Sequence, residues 1–162
     1  MDIFFQKYDK YLGNITAVLM LLLMVNVFLD VVLRYFFHTG SIALQEMEWH
    51  LFATMFLFGI AYALNSEDHV RVDFLYDNFK PRKKAIINIL GTIFMLIPFA
   101  ALIIYGSYEY VNDALVTNEI SEDPGGLTHR WIIKSMIPLS FTLLIISGIG
   151  YIYKNYLILK ND

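Results

Sequence analysis

The sequence predicts an all-α membrane protein of four transmembrane helices. Two observations predict it: the apolar residues fall in four long blocks, and the basic residues crowd alternate segments between those blocks. Hydrophobic residues make up 57% of the 162, and charged residues 17%. A soluble domain averages about 45–50% apolar and about 25% charged. A bilayer core is about 30 Å thick and is crossed by roughly 20 apolar residues in a helix. The blocks are continuous rather than alternating, which is the pattern of helices and not of a membrane barrel. A helix also satisfies its own backbone groups, which lipid cannot do.

The first span is expected at about residues 11–37, with Asn26 the only strongly polar residue in its centre. Its apolar core is too long for a cleaved signal peptide, and Asp30 and Arg34 follow where a small-residue cleavage site would stand. The second span, about 49–65, is short and needs its flanks to complete it. The third, about 85–106, carries Pro98, and the fourth, about 131–153, carries Pro138. Proline within a membrane helix is tolerated where neighbours take up the freed carbonyl, so both are read as kinks and not as ends. The whole of 1–162 reads as one integral membrane domain.

Basic residues favour the cytoplasmic side. Lys7, Lys10, Arg71, Lys80, Arg82, Lys83, Lys84, Lys154 and Lys160 fall on one side of a four-span chain, and Arg34, Arg130 and Lys134 on the other. Nine against three places both termini in the cytoplasm and loops 38–48 and 106–130 outside. Acidic residues Glu109, Asp113, Glu119, Glu122 and Asp123 crowd the sparse side.

Three connecting segments carry structure signals. In 39–48, Ser41 is a residue type that caps a short helix. The segment 69–79 mixes Val70, Val72, Phe74, Leu75 and Phe79 with charges and reads as a short interfacial amphipathic helix. Residues 123–126 spell Asp-Pro-Gly-Gly, a turn signal. No internal repeat is visible, although a chain forming a transport pathway by itself would be expected to show one.

Charge inside a membrane is where function is sought first. Asn26, Asp30 and Arg34 lie one turn apart on one helix face. That face is either a proton or ion relay or a polar contact with a partner helix. The contact is favoured, because a relay needs several titratable groups at membrane depth and the other spans offer none near their centres. A membrane anchor of a redox complex also fits four spans. Haem, however, needs facing histidines within the spans. His38 and His50 sit near span ends, and His69 and His129 sit in loops. Glu46 and Glu48 point to different helix faces, so their spacing makes no acid–base pair. Trp49 and Trp131 fall at the boundary where an aromatic belt is expected. No cysteine is present, the net charge is −3, and no nucleophile, phosphate-loop or zinc motif appears. Neither an enzyme, a metal or cofactor site in this chain, nor a nucleic-acid partner is expected.

Three blocks carry a family resemblance: residues 45–73 (QEMEWHLFATMFLFGIAYALNSEDHVRVD), 30–35 (DVVLRY) and 119–138 (EISEDPGGLTHRWIIKSMIP). Together they resemble the small four-helix subunit of tripartite ATP-independent periplasmic (TRAP) transporters. The DPGGL and HVRVD stretches look most like its mannitol/chloroaromatic-labelled branch. The resemblance implies a large multi-span permease subunit, which holds the sodium and solute sites and moves like an elevator, and a periplasmic substrate-binding protein. It also implies a bacterial inner membrane, contact with membrane lipids, and a horizontal helix near the interface. For this chain it implies a scaffold. Structural or interface candidates are Asn26, Asp30, Arg34, Glu46, Trp49, His69, Arg71, Asp73, Trp131 and Pro138. Glu119, Glu122 and Asp123 are candidates for docking the binding protein.

Overall fold

The computed structural model describes residues 2–66 and 79–161. His69, Arg71 and Asp73, and with them nearly all of segment 69–79, lie outside the described residues. The described chain is all-helical, with four stretches long and apolar enough to cross a membrane: Phe4–Phe36, Ile42–Leu64, Pro81–Val116 and Trp131–Lys160.

Helix α1 is Asp2–Phe36, whose 35 residues make about 50 Å of helix at 1.5 Å per residue, longer than a bilayer core. It stops where His38 turns into the left-handed region (φ 54°). The N–H groups of Phe37 and Thr39 then both bond the Leu33 carbonyl, at 3.2 and 3.1 Å. Helix α2 is Ile42–Ser66. Ser41 does cap a helix, accepting the Leu44 N–H at 3.4 Å. The capped helix is the second span itself, which runs back without a break through the segment expected to hold a separate short helix. Once Ser41 has taken the first free N–H, nothing between Ile42 and Trp49 interrupts propagation.

The third span is a composite. Helix α3, Pro81–Gly91, passes into a π turn at Thr92–Leu96 and then into α4, Ile97–Val116. The turn adjoins Pro98, which has no N–H to give. Ile97 N–H bonds Thr92 O across the wider π spacing, which keeps the helix intact beside the proline. Helix α5 is Trp131–Asn161 and holds Pro138 inside it. Thus neither proline ends a span.

The helices stand in a row. α1 packs on α2, α2 on α5, and α5 on both α3 and α4, while α1 touches α5 only lightly. The two central helices, α2 and α5, run in the same direction, with their N-termini at one end of the row. That end carries segments 37–41 and 117–130 and is called here the hairpin end; the other is the terminal end. The hydrophobic core is small and lies toward the terminal end, where Leu12, Ala61, Leu64, Leu144 and Tyr151 meet. Tyr8 donates there to the Leu143 carbonyl at 2.8 Å. Small residues are buried on both of the packed helices α4 and α5: Ala100, Ser107 and Ala114 on one, Ser140 and Ser147 on the other. Small side chains let helix backbones approach closely where lipid supplies no hydrophobic drive between helices. Elsewhere large apolar side chains face outward, among them Phe28, Phe56, Phe94, Met95 and Leu102. A water-soluble monomer does not carry such a surface.

Candidate functional site at the hairpin end

The densest polar construction among the described residues joins α2, the 117–130 segment and the start of α5. Segment 117–130 begins as α4 ends, with Asn118 in the left-handed region (φ 47°) and Glu119 N–H on Ala114 O at 3.0 Å. It then folds on itself as a small hairpin. Ser121 N–H bonds Leu127 O at 3.0 Å, Gly126 N–H bonds Asp123 O at 3.0 Å, and Arg130 N–H bonds Glu119 O at 3.1 Å. Gly125, at φ 87°, makes the turn that an L-residue would strain. The Asp-Pro-Gly-Gly signal thus closes a real turn.

Glu46, one turn into α2, holds this hairpin with both carboxylate oxygens. Oε1 accepts the Ser121 hydroxyl, and Oε2 accepts the Leu127 N–H at 2.5 Å. Glu46 is buried. The approach is close enough to need a glycine: a Cβ on Gly126 would lie 2.5 Å from Ser121 Oγ and 2.8 Å from Glu46 Oε2. A second fastening lies at the base of the hairpin. Lys134 of α5 donates to Glu119, and its ammonium sits 4.0 Å from the Tyr110 ring centre. Arg130 stands 3.8 Å from the same carboxylate and 5.9 Å from the Trp49 ring. His50 Nδ1 lies 2.6 Å from Glu46 O, and since a carbonyl only accepts, that nitrogen carries the proton.

Two hollows flank this construction and share Trp49 and Arg130. One, of about 390 Å3, is apolar and runs along Phe52, Phe56 and Ile137. The other, of about 420 Å3, is rimmed by Glu46, Ser121, Glu122 and Asp123. Glu122 and Asp123 are exposed at the hairpin tip, whereas Glu119 is engaged.

The polar face of α1 is separate. Asn26 donates to Leu44 O of α2 at 2.9 Å, and Arg34 bonds the buried Asp30 carboxylate. Among the described residues no group of His, Asp and Glu is arranged to hold a metal ion.

Residues 23–156 match the family model described as tripartite ATP-independent periplasmic transporters, DctQ component. The chain belongs to the DctQ family. A Haemophilus influenzae protein provisionally named a TRAP transporter small permease is 32% identical over 151 residues, covering 90% of this chain and 92% of its own length. A second from that organism, with the same name, is 30% identical and covers 67% of each chain. The C4-dicarboxylate TRAP transporter small permease DctQ of Pseudomonas aeruginosa is 31% identical over 63% of this chain and 51% of its own length. The chain is accordingly a small permease subunit of a TRAP transporter, with four helices able to cross a membrane. A tripartite family implies a large permease and a binding protein as partners. An anchor of a redox complex is not favoured.

The sequence-picked residues fall into distinct places in this DctQ chain. Asn26 bonds α2, while Asp30 and Arg34 pair with each other one and two turns further along α1. Glu46 and Trp49 belong to the hairpin construction, and Trp131 opens α5 beside it. Pro138 lies deeper in α5. Sequence reasoning passed over Ser121, Gly126, Leu127, Lys134 and Tyr110 as partners. Only the glycine pair at 125–126 signalled a tight approach, and nothing in the pattern pointed to Glu46 as its object.

Proposed function

We propose that this subunit is a fixed brace for the large permease subunit in sodium-coupled, binding-protein-dependent uptake of an organic acid or related solute. The observation that carries this is the row of helices. Its charged side chains gather near its ends, and its broad faces are apolar. A solute needs a continuous polar path, whereas a brace needs surface and resistance to being moved. Sliding such rods along the membrane normal would expose apolar area. Exposing even about 200 Å2 costs roughly 5 kcal/mol at about 25 cal/mol per Å2. An elevator-like partner pushing against the row would therefore move while the row stays.

In this reading sodium and solute sit in the large subunit, within a bacterial inner membrane, and this subunit's termini and segment 66–80 are cytoplasmic. The bias of basic residues toward that side supports the orientation. The hairpin end then faces the periplasm and presents Glu122 and Asp123 to a basic patch on the binding protein, since opposite charge steers such encounters. Assignment to the mannitol/chloroaromatic-labelled branch rests on the DPGGL and HVRVD stretches.

Mild-detergent purification of this chain should bring down the large permease subunit. Liposomes holding this chain alone should take up no solute, and an impermeant amine reagent outside intact cells should leave Lys83 unlabelled. Uptake by the lone chain would overturn the brace, and labelling of Lys83 would overturn the orientation.

A further inference from the structure

We infer that Glu46 is the positioning residue that sets the pose in which the 119–130 hairpin meets the binding protein. The inference rests on the docking reading above and adds how docking is controlled: by a carboxylate rooted in a membrane helix. An acidic tip on a loose loop would have to be ordered at each encounter, and ordering each side chain costs about 0.5–1.5 kcal/mol. Here the tip is ordered beforehand. Glu46 takes one hydrogen bond from each side of the turn, the Ser121 hydroxyl on one and the Leu127 N–H on the other. Glu122 and Asp123 lie between those two anchor points, so their placement follows from the two bonds.

Three features make Glu46 the pivot among the hairpin's contacts. It is buried, and both of its oxygens are already engaged by the hairpin. It sits on α2, whose neighbours α1 and α5 fix it within the row. It is served by Gly126, where any Cβ would intrude on both Ser121 and Glu46 itself. The Glu119–Lys134 pair fastens only the base of the hairpin and leaves the tip free to swing. Gln at position 46 has the shape to accept the Leu127 N–H and donate to Ser121 Oγ, so it keeps the pose without the charge.

The test uses the intact two-subunit permease in nanodiscs and the purified, fluorescently labelled cognate binding protein. Glu46→Ala should weaken binding about tenfold, a loss of about 1.4 kcal/mol. Gly126→Ala should do the same from the other side of the contact, and Glu46→Gln should bind within about twofold of the unaltered complex. Recovery of the permease complex should be unchanged in all three. Unaltered binding by Glu46→Ala overturns the inference. So does a Glu46→Gln that binds as poorly as Glu46→Ala, because charge and not pose would then be what counts. Should Glu46→Ala fail to assemble, Gly126→Ala decides in its place. The double variant Glu122→Gln/Asp123→Asn separates the two readings. Unchanged binding there removes the docking site, whereas weakened binding there with normal binding by Glu46→Ala removes only the positioning role.

Discussion

Asp30 and Arg34 of α1 form an ion pair with one buried and one open partner: the Asp30 carboxylate is enclosed, while the Arg34 guanidinium stands half in the open. Asp30 spends one oxygen on Arg34, and its other oxygen, Oδ1, has no donor among the described residues. Arg34 is thus the group that makes the buried carboxylate tolerable, and it does so from a position within reach of a neighbouring subunit.

Arg34→Ala should leave Asp30 without a donor on either oxygen. An unsatisfied buried acceptor costs about 1–3 kcal/mol, more when it is charged. The purified complex should melt lower and less large subunit should copurify, while the dependence of uptake on sodium stays as before. A changed sodium dependence with normal copurification would restore the relay reading.

Close approach between α1 and α2 depends on Gly13. A Cβ there would lie 2.8 Å from the ring of Tyr62, whereas a Cβ on Gly40 would meet nothing within 4 Å. Gly13→Ala should cost about 1–3 kcal/mol through overpacking. Gly40→Ala, in open space, should leave the melting temperature in detergent unchanged. Equal effects of the two substitutions would mean that α1 and α2 are not held this closely.

At the terminal end α3 and α5 are joined by side-chain amides. Asn88 donates to Asn155 at 2.9 Å, and Asn155 donates in turn to Tyr151 O at 2.8 Å. Interhelical hydrogen bonds in membranes average about 0.6 kcal/mol and reach about 1.7. Asn155→Leu should therefore lower stability within that range in a detergent unfolding titration. A loss several times larger would show that packing at this buried site, and not the amide pair, carries the contact.

Lys134 holds the base of the hairpin through Glu119 and stands against Tyr110. Lys134→Met keeps the bulk and removes the charge. Backbone hydrogen exchange should then rise at residues 119–121, with little change along α5 below Pro138. Exchange unchanged at the hairpin would mean that Glu46 alone suffices to hold it.

Much of this architecture could be read in the residue pattern, for identifiable reasons. Four apolar blocks leave a chain in lipid little choice but helices, and the stretch from Ala85 to Tyr105 stays apolar straight through Pro98. The spacing of Asn26, Asp30 and Arg34 put them on one face because helix geometry is local. What the pattern could not show was long-range. Glu46 bonds residues about eighty positions away, and no periodicity connects them. The start of α2 at Ile42 depended on Ser41, which the pattern gave to a separate short helix because the apolar run alone begins only at Trp49. Ala100, Ser107 and Ala114 are unremarked within an apolar run until a neighbour is seen to lie against them.

The parallel course of α2 and α5 has an electrical side. Each helix brings its positive pole to the hairpin end, and Glu46 and Glu119 sit close to those poles, where a helix dipole favours anions. The carboxylates that tie the hairpin down thus act also as counter-ions to the two central helices. Exchanging either for a basic residue would set like charge against a pole as well as break a bond, so charge reversal there should be harsher than simple truncation.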